Sequence, residues 1–169
     1  MSIEVTVQCR AIKKNGKRCE RMTSQTSMCP QHLRRRLGLE VKESTIPHAG
    51  LGLFTTKDRK KGENICTYSG KIILEMSDSD SETEREPYIG RYVLQVQNNI
   101  LIDAARTDSE GRYINSARGT RKKNNVQAVW DRKKKIANIR ARQKIKAGEE
   151  LLMGYGSAYW RYYSRIAEN

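Results

Sequence analysis

Three of the four cysteines fall within the first thirty residues, and a histidine follows the third almost at once, giving Cys9-x9-Cys19-x9-Cys29-x2-His32. The surrounding residues 1–36 read as loops and hold few large aliphatic side chains. Such a segment cannot build a hydrophobic core alone and needs another source of stability. The Met1-Ser-Ile-Glu-Val start has no basic stretch followed by an apolar one, so no secretory signal is read and an intracellular chain is expected. In that setting clustered cysteines point to a metal more than to disulfides. The closing Cys-x2-His pair is a zinc spacing, and Cys3His is a structural zinc ligand set. Arg10, Lys13, Lys14, Lys17, Arg18 and Arg21 flank the ligands and favour thiolates. Unligated, reduced cysteines are the competing reading. Cys66 stands by itself in an apolar strand pattern and reads as a core residue.

Charge divides the chain a second way. The net charge is +14, of which residues 1–42 carry +7 (10 Lys/Arg against 3 Asp/Glu). From Arg118 to Lys146 there are 12 basic side chains and one acid, Asp131, whereas Asp78 to Glu86 reads DSDSETERE. A basic surface favours phosphates and an acidic loop favours a basic peptide; two solvated faces are the plainer reading. No apolar run approaches the roughly 20 residues of a membrane span, and no membrane partner is expected.

From Leu39 onward the chain reads as many short strands broken by turns. Leu39-Glu-Val-Lys is extended, and Ala49-Gly-Leu-Gly-Leu-Phe54 brackets a leucine between glycines. Asn64–Ser69 and Lys71–Leu74 alternate around Gly70, Tyr92–Gln97 and Ile100–Ile102 flank an Asn-Asn turn, and residues 124–130 and 135–141 are further candidates. Leu151–Met153 follows a turn, and Ala158–Ala167 suits an amphipathic helix. Closely spaced short strands argue for a mostly β fold of small sheets.

Residues 39–160 carry four motifs in order: Gly50-Leu-Gly-Leu-Phe54, Tyr68-Ser-Gly70, Gly111-Arg-Tyr-Ile-Asn115 and Gly148-Glu-Glu-Leu-Leu-Met-Gly-Tyr155-Gly156, with Ile102-Asp103-Ala104 before the third. In this they resemble the SET domain of protein lysine methyltransferases (G-x-G-x-F, Y-x-G, R-[FY]-[IV]-N and G-E-E-L-x-x-x-Y-G). The resemblance implies a SET fold of several small sheets with a knot-like C-terminal threading and short helices, preceded by the zinc module. That module is itself similar to a short C-x-A…G-x2-C…C-x2-H segment found beside varied domains. The implied division is 1–36 zinc-binding module, 39–160 SET domain and 161–169 helical tail. Ser116 stands where the family has His, Ala117-Arg118 replace Ser-Cys, and Asn125 takes the later Asn position. These departures resemble PR-type SET domains. The short domain with its aromatic tail resembles compact viral and protist ones.

The resemblance further implies S-adenosylmethionine as cofactor, held by Gly50, Leu51, Gly52, Arg112, Tyr113, Asn115, Ser116, Tyr155 and Trp160, the last a surface for adenine stacking. Tyr155 is implied at the methyl-transfer pore, with Tyr68 and Tyr92 (or Tyr88) lining a lysine channel. Ordinary strand packing competes for Tyr68 and Tyr92, and core packing for Trp160. The chemistry asks for such a site: a lysine amine of pKa about 10.4 must lose its proton before attacking, and a narrow aromatic channel disfavours its charged form. Met153 lacks the hydroxyl that limits some related enzymes to one methyl, so di- or trimethylation is expected. The implied substrate is a histone or other lysine-bearing basic protein, added as a strand beside residues 76–92 and meeting the acidic run. The implied location is the nucleus, a host nucleus for a viral chain. The rival reading is a non-catalytic SET-like module binding chromatin or nucleic acid.

Overall fold

A computed structural model describes residues 6–24, 26–74, 92–97, 100–156 and 159–160. Among the described residues ten strands form four small sheets, with one short helix, so the mostly β expectation holds. β1 (Val7–Gln8) pairs antiparallel with β2 (Met22–Thr23), and α1 (Pro30–His32) runs into a π turn over Leu33–Leu37 that ends at Gly38. The remaining sheets are β3 (Leu39–Glu43) with β4 (Leu51–Thr55), β5 (Asn64–Tyr68) with β10 (Ile136–Ala141) and β9 (Val126–Asp131), and β6 (Lys71–Leu74) with β8 (Ile100–Asp103) and β7 (Val93–Gln97).

Alternation decides which faces turn inward. In β10, Ala137, Ile139 and Ala141 are buried while Ile136, Asn138 and Arg140 face outward, the period of two that a one-sided strand requires. Ala137 pairs with Tyr68 on one side and Trp130 on the other. The inward residues of β10 join Leu39, Leu53, Ile65, Ile102, Ile145 and Leu151 in the main core. Cys66 packs against that core, and burial pushes its thiol up, as a core cysteine and not a ligand would have it.

The segment Leu151–Met153 is where the sheets converge. Its backbone bonds three other segments. The Leu151 N–H donates to the Leu53 carbonyl, the Asn125 and Val126 N–H groups donate to the Leu152 carbonyl, and the Met153 N–H donates to the Asn115 carbonyl. Asn125 seals the junction, accepting from the Leu152 N–H and donating to the Glu150 carbonyl, both at 2.8 Å. The acidic run, Tyr88 and the tail 161–169 lie outside the described residues.

The N-terminal module is seated on the sheets. Leu33 belongs to the main core and Met28 packs against both clusters. Arg59, its side chain 2% exposed, donates to the carbonyls of Leu37 and Gly38 and to the Thr55 hydroxyl, fixing the connection between module and β3.

Candidate active site and metal centre

The metal centre forms where three loops meet. A tight turn pairs Ile12 with Arg18, bringing Cys9 and Cys19 to adjacent positions. The Cys9 N–H donates to the Arg21 carbonyl and the Cys19 N–H to the Ala11 carbonyl. Cys29 caps α1, which carries His32 one turn on. The ligand atoms of Cys9, Cys19, Cys29 and His32 all lie within 4.8 Å of one another. Nδ1 of His32 stands 3.5 Å from Cys9 Sγ and 3.3 Å from Cys29 Sγ. Zinc bonds of about 2.3 Å to sulfur and 2.0 Å to nitrogen give a tetrahedral S···N edge of about 3.5 Å. The donor set and its spacing therefore fit zinc, and all four expected ligands converge.

The second site is a narrow aromatic cavity. Tyr68 at the end of β5, Tyr92 before β7, Arg112, Ile114, Met153, Tyr155 and Tyr159 enclose it, with free volume of about 10 Å³, room for about one water. Two of the hydroxyls have defined partners: Tyr68 donates to the Tyr92 carbonyl at 2.6 Å, and Tyr155 to the Ile114 carbonyl at 2.8 Å. Burial pushes the Tyr68 hydroxyl well above its ordinary value, reinforced by Tyr155 and Asp103 and opposed by Arg112. Tyr68 is thus a neutral donor at ordinary pH. Tyr159 meets Tyr155 edge-on at 4.7 Å, and Trp160 stacks parallel to Tyr155 at 6.0 Å beneath the Arg118 guanidinium.

Arg112 sits with this cavity. Its guanidinium lies 4.3 Å over Tyr92 and 5.4 Å over Tyr113, and it donates to the Thr107 carbonyl at 2.7 Å. Tyr113 is buried in the same 3-10 turn, Glu110–Tyr113, and Ser116 is buried just beyond, its hydroxyl accepting from the Arg118 N–H.

The glycine-rich strand β4 lies beside Asn115. The Asn115 side chain donates to the Leu51 carbonyl at 2.9 Å and to Ser44 and Glu150. Gly50 has φ +73°, a conformation that suits glycine. No atom lies within 4 Å of where its Cβ would stand, which leaves an open backbone cradle. Gly52 differs: a Cβ there would fall 2.3 Å from Glu150, so its close approach is to the chain itself.

Glu150 is the residue sequence reasoning passed over. It accepts from the Ser44 hydroxyl at 2.6 Å, the Thr45 N–H at 2.8 Å, the Thr45 hydroxyl and Asn115. Desolvation, the largest influence, acts to raise its pKa, yet these donors together outweigh it and hold the carboxyl below its ordinary value. The Gly-Glu-Glu-Leu-Leu-Met stretch carried the signal, an acid directly before a buried apolar run.

The SET domain model matches residues 50–156, and the chain belongs to the SET-domain family. A 109-residue stretch is 35% identical to human histone-lysine N-methyltransferase 2D, covering 63% of this chain and 2% of that protein. Another of 111 residues is 32% identical to the histone-lysine N-methyltransferase trithorax of Drosophila melanogaster, covering 63% and 3%. The chain thus spans only a few per cent of the length of these curated relatives. Among solved structures, "ctPRC2 in an autoinhibited conformation bound to S-adenosylmethionine" is similar with a TM-score of 0.53 and 25% identity, over 78% of this chain and 16% of that one. "Structure of ctPRC2 in complex with H3K27me3 and H3K27M" is similar with a TM-score of 0.52 and 27% identity, over 70% and 14%.

Proposed function

We propose that this chain is an S-adenosylmethionine-dependent protein lysine N-methyltransferase acting on a histone or histone-like basic tail. The observation that carries the reading is the narrow cavity that Tyr68, Tyr92 and Tyr155 line together. Relatives named as histone-lysine methyltransferases, and a solved neighbour bound to S-adenosylmethionine, support it.

When bound, the cofactor supplies an electrophilic sulfonium methyl. This chain's residues align and desolvate the lysine that receives it. Tyr155, its proton committed to the Ile114 carbonyl, presents oxygen lone pairs to the polarised end of the cavity. Tyr68 and Tyr92 wall the entry, and the small volume excludes bulk water, so the ammonium form of the lysine is disfavoured. Gly50, Leu51, Gly52, Asn115 and Ser116 line the cofactor's place, with Arg112 and Tyr113 bracing it and Trp160 as the adenine-stacking surface. Residues 1–36 act as the zinc module and 39–160 as the catalytic domain, followed by the tail 161–169. A histone substrate places this work in the nucleus.

The test is transfer of labelled methyl from S-adenosylmethionine to core histones by wild type and Tyr155→Phe. Transfer that falls at least a hundredfold in the variant is expected, since an oriented polar group at the reacting centre contributes roughly 10²–10³ in rate. Absence of cofactor binding by the wild type would overturn the reading in favour of a non-catalytic module. An unchanged rate in the variant would remove Tyr155 from the pore. Mass spectrometry of the product locates the lysine and reads its methyl count; an exclusively monomethylated product would defeat the expectation attached to Met153.

A further inference from the structure

Beyond the tyrosine cavity the protein carries a second concavity of different chemistry. Arg118, Lys122, Lys123 and Arg142, with Asn124 and Gln143 between them, line an open groove of about 510 Å³. All four cations are exposed, and among the described residues no acid lines the groove. Some exposed cations elsewhere do pair with acids: Arg10 with Asp108, Lys13 with Glu20, Lys146 with Asp58. Among the described residues none of the four groove cations forms an ion pair. Lys122 donates to the Thr45 hydroxyl and Arg118 lies 4.7 Å over Trp160, contacts that fix direction without neutralising charge. Asp131, the one acid between Arg118 and Lys146, is engaged with the Lys133 and Lys134 N–H groups in its own turn.

Four like charges around one groove repel one another, and a polyanion relieves that repulsion while releasing its own counter-ions. The lining is cationic and amide, with no apolar pocket to anchor a peptide side chain. The planar forks of Arg118 and Arg142 match phosphate oxygens in pairs. A basic tail is repelled here, so the groove is not the path of the proposed substrate. We infer that this groove binds the phosphate backbone of a nucleic acid, holding a duplex beside the site through the contact Arg118 to Trp160 to Tyr155. Its use in catalysis rests on the methyltransferase reading; the binding itself does not. Basic tails lie on polyanions, and an enzyme that holds the polyanion holds its substrate nearby.

The experiment is fluorescence anisotropy of a labelled 20-base-pair duplex with the full chain, titrated across salt. The Lys122→Ala/Lys123→Ala/Arg142→Ala variant leaves Arg118 and its ring contact in place. The expected result is a salt slope reduced by about 3, nearly one per lost contact, and affinity reduced at least tenfold at physiological salt. A second variant, Arg132→Ala/Lys133→Ala/Lys134→Ala at the β9–β10 turn, removes the same charge elsewhere. Equal loss in both would mean net charge alone binds, and overturns the site. Competition by poly-glutamate as effective as by unlabelled duplex would reassign the groove to an acidic protein. A fall in S-adenosylmethionine affinity in the groove variant would make the groove part of the cofactor site and overturn the proposal likewise. Methyl transfer to a free basic peptide should match wild type, while transfer to that peptide prebound on duplex should fall. If neither peptide is methylated by wild type, the methyltransferase reading fails and the duplex titration still stands by itself.

Discussion

The zinc module and the SET sheets are both organised around a polar hub, but only one of them has a core behind it. The module's own apolar cluster is Cys9, Ala11, Cys19 and Cys29, three of them expected ligands, with Met28 at the edge. Around Glu150 the situation is reversed. Leu151 and Met153 follow it into a cluster that takes residues from most of the SET strands. A hub with no apolar support holds its surroundings all at once or not at all, whereas a hub set on a packed core can weaken by degrees.

The largest effect therefore belongs to the metal. Structural zinc contributes about 10–16 kcal/mol of apparent binding free energy in small zinc-binding peptides, more than the module's small apolar cluster can replace. Stripping zinc with a chelator should abolish hydrogen-exchange protection of the Cys9 and Cys19 amides, which bond the Arg21 and Ala11 carbonyls. Amides of β10 should stay protected. Protection surviving at Cys19 after the metal has gone would break the contrast, because something other than an ion would be holding the module.

The two regions also differed in how much of them the sequence disclosed. The four zinc ligands were legible because the metal leaves a chemical signature at fixed spacing, and no packing knowledge was needed to group them. The strands were legible through alternation, with β10 following it most strictly, and Tyr68 and Tyr155 through their motifs. The hub at Glu150 was not, because its partners Ser44 and Thr45 lie more than a hundred residues away. An acid in a charge-rich chain looks like surface until folding surrounds it with donors. Gly52 has a further role hidden in the same way: its missing side chain makes room for Glu150, a partner far along the chain. Leu151–Met153, an apolar run after a turn in the sequence, bonds three different segments, and no local pattern tells which ones.

Glu150 supplies the intermediate effect and sharpens the contrast. Glu150→Gln keeps the shape but loses the charge that its donors favour, at a cost of about 1.5–3 kcal/mol, the range for hydrogen bonds to a charged group. Chemical denaturation should show that loss with zinc content unchanged. The folded-state pKa lies below the ordinary value of 4.5. The carboxylate's contribution is therefore complete above that value and disappears as pH falls through the folded pKa. Wild type should lose stability relative to the Gln variant only below about pH 4.5. A gap between them that persists in strong acid would show that charge is not what separates them, and that an amide nitrogen set against the Thr45 donors is.

The smallest effect lies on the seam, where the comparison itself can fail. The Ser27 N–H and hydroxyl both donate to Glu110, which opens the turn carrying Arg112 and Tyr113. The other charged contact, Arg10 with Asp108, joins an Arg side chain 63% exposed and contributes little. Ser27→Ala removes one of the two donors to a buried carboxylate and leaves the N–H in place, so a loss of about 1 kcal/mol is expected in the zinc-bound protein. In the zinc-stripped protein the same substitution should change nothing, because Ser27 is held in position by the loop ending at Cys29 and leaves Glu110 when that loop is released. Equal losses with and without zinc would mean that the seam survives metal removal. Module and sheets would then form one cooperative unit, with the ion reinforcing contacts that the sheets already hold.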